Sequence, residues 1–134
     1  MDILSRFPEH SSDEMILLIR ERISHFQHEL FQETFSDCKI EAVHEASQKE
    51  IDDLLGEGAI ARSFMYGEIE FFAFKRILRI ATKNMELPIR KFYDLGSGCG
   101  RAIVTAALCC DINELIGIEV LTSLHEMAEN IREK

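Results

Sequence analysis

Three glycines fall at alternate positions in DLGSGCG, residues 94–100, with Asp94 two residues before the first of them and Arg101 directly after the last. Glycine at 96, 98 and 100 removes the side chains that would block a tight turn or hold a ligand away from the backbone. The segment that follows, GRAIVTAALCC (100–110), is rich in small side chains and suits a helix. The first turn of such a helix offers free N–H groups and a partial positive charge. A second carboxylate, Glu119, comes 25 residues after Asp94. An ionised carboxylate only accepts hydrogen bonds, so at the end of a second strand it can take both from the paired hydroxyls of a ribose.

The spacing separates two ligand classes. A dinucleotide turn reads pyrophosphate with GxGxxG; here the pattern is GxGxG, and Arg101 stands where the third glycine would fall. Asp94, near the other end of the ligand, is placed to accept from a positively charged amine. A cationic sulfonium ligand carrying an amino acid and a ribose fits this pair of carboxylates better than pyrophosphate does. S-adenosyl-L-methionine is therefore favoured over a nicotinamide dinucleotide, which stays open as the alternative. A purely structural role, with Asp94 capping the turn and Glu119 on the surface, is the other alternative.

These residues need strands and helices to hold them. KFYDLG, a short apolar run closed by glycine, reads as a buried parallel strand, and ELIGIEV (114–120) reads as a second. LTSLHEMAENIREK makes a closing helix with Ser123 and Glu126 at capping-box spacing. Strand, helix, strand, helix predicts a crossover and a parallel sheet. Upstream, SDEMILLIRERISHFQHELFQETF (12–35) has an apolar stripe of Met15, Ile19, Ile23, Phe26 and Leu30 at helical steps, with Ser11 and Glu14 spaced as a capping box. A second helix spans 41–55 and ends at Gly56 or Gly58. After Gly67 the pattern resumes over 68–83 through Ile69, Phe72, Ile77 and Ile80, widened by Phe71, Phe74 and Leu78, which predicts a well-buried helix. His25 and His28 sit three apart, but no further ligands accompany them, so no metal site is assigned.

Composition narrows the class. A chain of 134 residues with 46% hydrophobic content can fill one core. No run of 18 apolar residues occurs, and the acidic, polar start MDILSRFPEHSSDE does not resemble a secretion signal. Cys38, Cys99, Cys109 and Cys110 have no paired spacing, which suits free thiols in a reducing compartment such as cytosol or nucleus. Residues 1–60 hold fourteen acidic against five basic residues, whereas 61–134 hold ten of each. An acidic surface does not favour a phosphate backbone, so nothing points to direct nucleic-acid binding. It suits a solvated helical face, or a basic protein partner.

DLGSGCG, a helix and then IGIE resemble the first two motifs of class I methyltransferases. MYGEIEF (65–71), a helix and FYDLGSG resemble more narrowly the disruptor-of-telomeric-silencing family, the histone-lysine methyltransferases that lack a SET domain. The resemblance covers roughly residues 60–132. It implies a partial Rossmann-like α/β fold, two parallel strands with flanking helices, preceded by an all-helical acidic segment. The implied division is an acidic helical segment at 1–60 and the N-terminal half of a methyltransferase domain at 61–134. It implies S-adenosyl-L-methionine as cofactor, with Tyr66, Gly67, Glu68, Asp94, Gly96, Ser97, Gly98 and Gly100 around the methionine part and Glu119 on the ribose. It further implies methyl transfer to a protein lysine, a core histone or nucleosome as partner, and a nuclear or cytoplasmic, non-secreted location. No residue matches the family's lysine-channel motif, so no catalytic residue is assigned.

Two strands leave open edges and an uncovered flank. The expectation is a longer enzyme truncated after the second strand, weak or inactive alone. Completion by a partner chain, self-association through the incomplete sheet, and a non-catalytic scaffold are the competing expectations, as is a non-histone substrate.

Overall fold

The computed structural model describes residues 12–56, 67 and 69–133. Ser11, Tyr66 and Glu68, singled out above, lie outside the described residues. The elements are α1 (Ser12–Thr34), α2 (Ile40–Leu55), α3 (Phe71–Ala81), β1 (Ile89–Leu95), α4 (Arg101–Cys109), β2 (Ile112–Ile118) and α5 (Thr122–Arg132). β1 and β2 form a two-stranded parallel sheet running from Ile89 opposite Ile112 to Leu95 opposite Ile118. This is the partial Rossmann-like α/β arrangement expected, with helices leading into it. Among the described residues, no helix is long and apolar enough to cross a membrane.

One buried cluster holds the helices and the glycine turn together. Phe31 of α1, Phe35 just past its end, Val43 and Ile51 of α2, and Phe71 of α3 join Cys99, Leu121, Leu124 and Ile131. The cluster thus draws side chains from both sides of residue 60. His28 serves it as an aromatic, its ring 5.2 Å from Phe71 and 4.5 Å from Phe72. Polar links reinforce the docking of α1. Lys75 of α3 donates to Ser24 Oγ at 2.8 Å and to Gln27 Oε1 at 2.6 Å, and Gln27 Nε2 donates to the Leu108 carbonyl.

Several expectations are corrected. On α1, Met15 is buried, but Ile19, Ile23 and Phe26 face solvent. The helix docks instead through Ser24, Gln27, Phe31 and Phe35, about a third of a turn around its axis. On α3 the buried residues are Phe71 and Leu78, whereas Phe72, Ile77 and Ile80 are exposed. Phe71 meets the α1 aromatics, its ring 5.1 Å from Phe31, and the exposed residues leave this helix only half buried. β1 is not buried on both faces either. Only Ile89 is buried, and Tyr93 and Leu95 stand out in solvent. β2 begins at Ile112, two residues earlier than expected, since its register starts opposite Ile89; Glu119 therefore stands just beyond the strand.

The start of α5 is capped from a distance. Its N-cap, Leu121, supplies no side-chain acceptor. Glu50 of α2 does so instead, taking the Thr122 and Ser123 N–H groups at 2.7 and 2.8 Å and the Ser123 hydroxyl at 2.6 Å. Ser123 is thus a donor to Glu50, and the capping box with Glu126 does not form. The hydrogen bonds from Ser123 hold the Glu50 carboxyl below its ordinary value. A depressed acid contributes stability above its unfolded-state pKa and loses it as pH falls through the folded one.

Glu50→Gln should therefore cost about 1 kcal/mol at neutral pH, the usual worth of a helix cap. The gap from wild type should close as pH falls below 4.5. Urea unfolding across pH checks this; a gap independent of pH would show that the cap acts without its charge.

Candidate functional site

The turn is strapped to both strands. Gly96 and Ser97 donate their N–H groups to the Ile118 carbonyl at 2.7 and 3.1 Å, and Gly100 closes back on the Ser97 carbonyl at 2.9 Å. Gly96, Gly98 and Gly100 have φ of 84°, 54° and 91°. All three lie in the left-handed region that L side chains rarely adopt, so the alternate-glycine pattern is a backbone requirement.

Glu119 is the central fastening. Its Oε2 accepts from Gly98 N at 2.7 Å, and its Oε1 accepts from Val120 N and Leu121 N at 2.8 and 2.9 Å. A carboxylate offers about four lone-pair positions, and three are occupied by backbone. The residue expected to hold a ribose thus first ties the glycine turn to the end of β2. Taking two further hydroxyl donors requires it to release one of these bonds.

Sequence reasoning missed a glycine outside the motif. Gly117 lies opposite Asp94 in the sheet, and a Cβ there would meet Ser97 Oγ at 2.8 Å and Cβ at 2.9 Å. The turn rests directly on the bare backbone of β2. The IGIE wording contained this residue without revealing what lay above it. Arg101 was also read only as a break in the dinucleotide pattern. Its guanidinium stacks 4.5 Å from the Phe35 ring centre and 5.7 Å from that of Phe31, and its Nη2 donates to the Cys38 carbonyl at 3.1 Å. It pins the start of α4 to the N-terminal helices.

A cavity of about 200 Å³ opens beside the turn, with Gly67, Asp94, Gly96, Ser97 and Gly98 in its wall together with Ile69, Phe74, Arg101 and Ala102. Five of the candidate residues are therefore brought together. Gly100 and Glu119 are not in that wall, and Tyr66 and Glu68 are outside the described residues. Pockets for drug-sized ligands run to roughly 300–1,000 Å³, so this one is sized for one end of such a ligand. A larger depression of about 640 Å³, lined by Glu45, Gln48, Lys49, Asp52 and Asp53, contains none of the candidates. Among the described residues there is no group of three or more His, Cys, Asp or Glu able to hold a metal ion.

The Asp94 carboxylate favours a cation at its end of the cavity. Asp94 is half-buried, and its carboxyl is pushed above the ordinary value of 3.8 by burial first and by the charge of Glu119 second. The Asp94 carboxylate, so placed, would be relieved by a positive group and aggravated by a phosphate.

A family model described as histone methylation protein DOT1 matches residues 50–134. No curated protein and no solved structure matches the chain.

Two variants test this geometry. Because the folded chain holds the Asp94 proton more tightly than the unfolded chain, stability falls as pH rises through that window, and the cost is complete above it. Asp94→Asn should unfold at higher urea than wild type at neutral pH, with the difference shrinking as pH falls toward 3.8. Wild-type behaviour at both ends would remove the carboxylate pair as a source of strain. Gly117→Ala should destabilise by about 1–3 kcal/mol, the usual cost of overpacking; a neutral result in the same unfolding measurement would mean that Ser97 moves aside freely.

Proposed function

The chain belongs to the DOT1 family of histone methylation proteins, and on that premise we propose that it forms the S-adenosyl-L-methionine-binding part of a protein-lysine N-methyltransferase acting on a histone. The observation that carries the reading is the pair Asp94 and Glu119, which come off the ends of adjacent parallel strands on either side of the glycine turn. Burial and the charge of Glu119 hold the Asp94 carboxyl above its ordinary value, and the basic side chain in the cavity wall, Arg101, is engaged by Phe35 and the Cys38 carbonyl; a cationic ligand end suits Asp94 better than a phosphate does.

In this reading the cavity takes the methionine end. Asp94 accepts from the ligand ammonium, and the cation lowers the cost of keeping that carboxylate ionised. Gly96, Ser97 and Gly98 let the ligand approach the backbone, and Gly67 forms the facing wall. By the family pattern Tyr66 and Glu68, which lie outside the described residues, also serve the methionine moiety. Glu119 exchanges a backbone partner for the ribose hydroxyls. When bound, the cofactor supplies a methyl group on a positively charged sulfur, open to in-line attack by a neutral lysine amine. The protein's part is to fix the two in line. No described residue is assigned to the lysine channel, so this chain supplies cofactor binding more than substrate recognition, and transfer by it alone is weak or absent. Its net charge of −9 is compatible with a basic histone substrate. A nuclear location accompanies that substrate.

One observation favours a second reading. Glu119 is already satisfied by three backbone N–H groups, as it would be in a scaffold that keeps the fold without using the cofactor.

Calorimetry separates the two. The folded chain should bind S-adenosyl-L-methionine and its homocysteine product, but not NAD, and Glu119→Ala should abolish that binding. Folded protein that binds none of the three would leave the scaffold reading standing; unchanged affinity in Glu119→Ala would remove the ribose assignment.

A further inference from the structure

Helix α1 carries an apolar seam that the body of the protein leaves in solvent. Ile16, Ile19, Ile23 and Phe26 are 46–59% exposed. With the half-buried Leu30 they follow each other by three, four, three and four residues. These are the a and d positions of two consecutive heptads, the spacing of a seam between paired helices. The face that docks α1 onto its own protein is a different one, through Ser24, Gln27, Phe31 and Phe35. The helix is therefore ordered before it meets anything, which lowers the cost of pairing.

We propose that α1 pairs antiparallel with α1 of a second copy of this chain, forming a two-fold symmetric dimer. In the pairing, Ile23 packs against the partner's Phe26 and Ile19 against the partner's Leu30, with each contact repeated by symmetry. Charge selects both direction and register. The residues flanking the seam on its solvent side are Arg22 and Glu29, and in this register Arg22 meets the partner's Glu29 twice. Glu29 already lies along that side, 3.3 Å from His25. A parallel pair would set Arg22 beside the partner's Gln27, with no ion pair. An antiparallel pair one heptad away would set Arg22 against the partner's Arg22 and Arg20 against the partner's Arg20. Only one of these arrangements is complementary.

This surface is independent of the cofactor site. Light scattering and equilibrium sedimentation of the 134-residue chain across micromolar concentrations should show a monomer–dimer equilibrium. Ile23→Lys should abolish the dimer and, because the position is exposed, leave far-UV circular dichroism unchanged. Arg22→Glu or Glu29→Arg alone should raise the dissociation constant roughly tenfold, whereas the double exchange should restore it to within about threefold. A monomeric wild type overturns the proposal and leaves the seam to a different occupant. Association that survives Ile23→Lys runs through another surface, such as a strand edge, and also overturns it. Loss in both charge variants without rescue by the double exchange overturns the antiparallel register.

Discussion

The geometry of the site depends on how the glycine turn is held at the ends of two strands. A turn with three residues at positive φ has little conformational preference of its own, and glycine loses more freedom on ordering than any other residue. Something must fix it. The Ile118 carbonyl and the Glu119 carboxylate do so, taking the N–H groups of Gly96, Ser97 and Gly98. Each lies at or just past the end of β2, so the strand register sets the position of the turn. The exposed Lys91–Glu114 ion pair, 2.7 Å across the two strands, agrees with that register but is worth little by itself. Alignment of the turn rests on backbone acceptors and one carboxylate.

The N-terminal helices act on the same assembly from behind. Arg101 anchors the first turn of α4 on Phe31 and Phe35, and Glu50 anchors the first turn of α5. α4 follows the glycine turn directly, and α5 follows Glu119 after two residues. Both helices that leave the site are therefore tied at their starts to α1 and α2 or the link between them. The acidic segment thus braces the site while contributing no residue to the cavity beside the turn.

Much of this was legible in the residues, and the limits have a physical pattern. The alternate glycines could be read because the chemistry of a turn is local, and strand–helix alternation follows from apolar period and small-residue content; that Glu119 fastens the turn could not. Glu50 as the cap of α5 could not be read, since its partner lies more than seventy residues away and Ser123 with Glu126 offered a nearer explanation. Gly117 looked like an ordinary strand glycine until Ser97 was found above it. The stripe on α1 was recognised from its period, but periodicity gives only the existence of an apolar face, not what covers it. Aromatic contacts at Phe31 and Phe35 decided which side turned inward.

α4 begins on Gly100, a residue with no side chain, and receives no side-chain cap. A helix start left in this state carries unsatisfied donors, and most proteins settle them with a serine, threonine or aspartate of their own. Here the backbone conformation, φ 91° at Gly100, disfavours that solution. An acceptor arriving in the turn from solution would therefore do the work of a missing residue. Occupancy and the stability of α4 would then be coupled, so that the guest completes a secondary-structure element of its host.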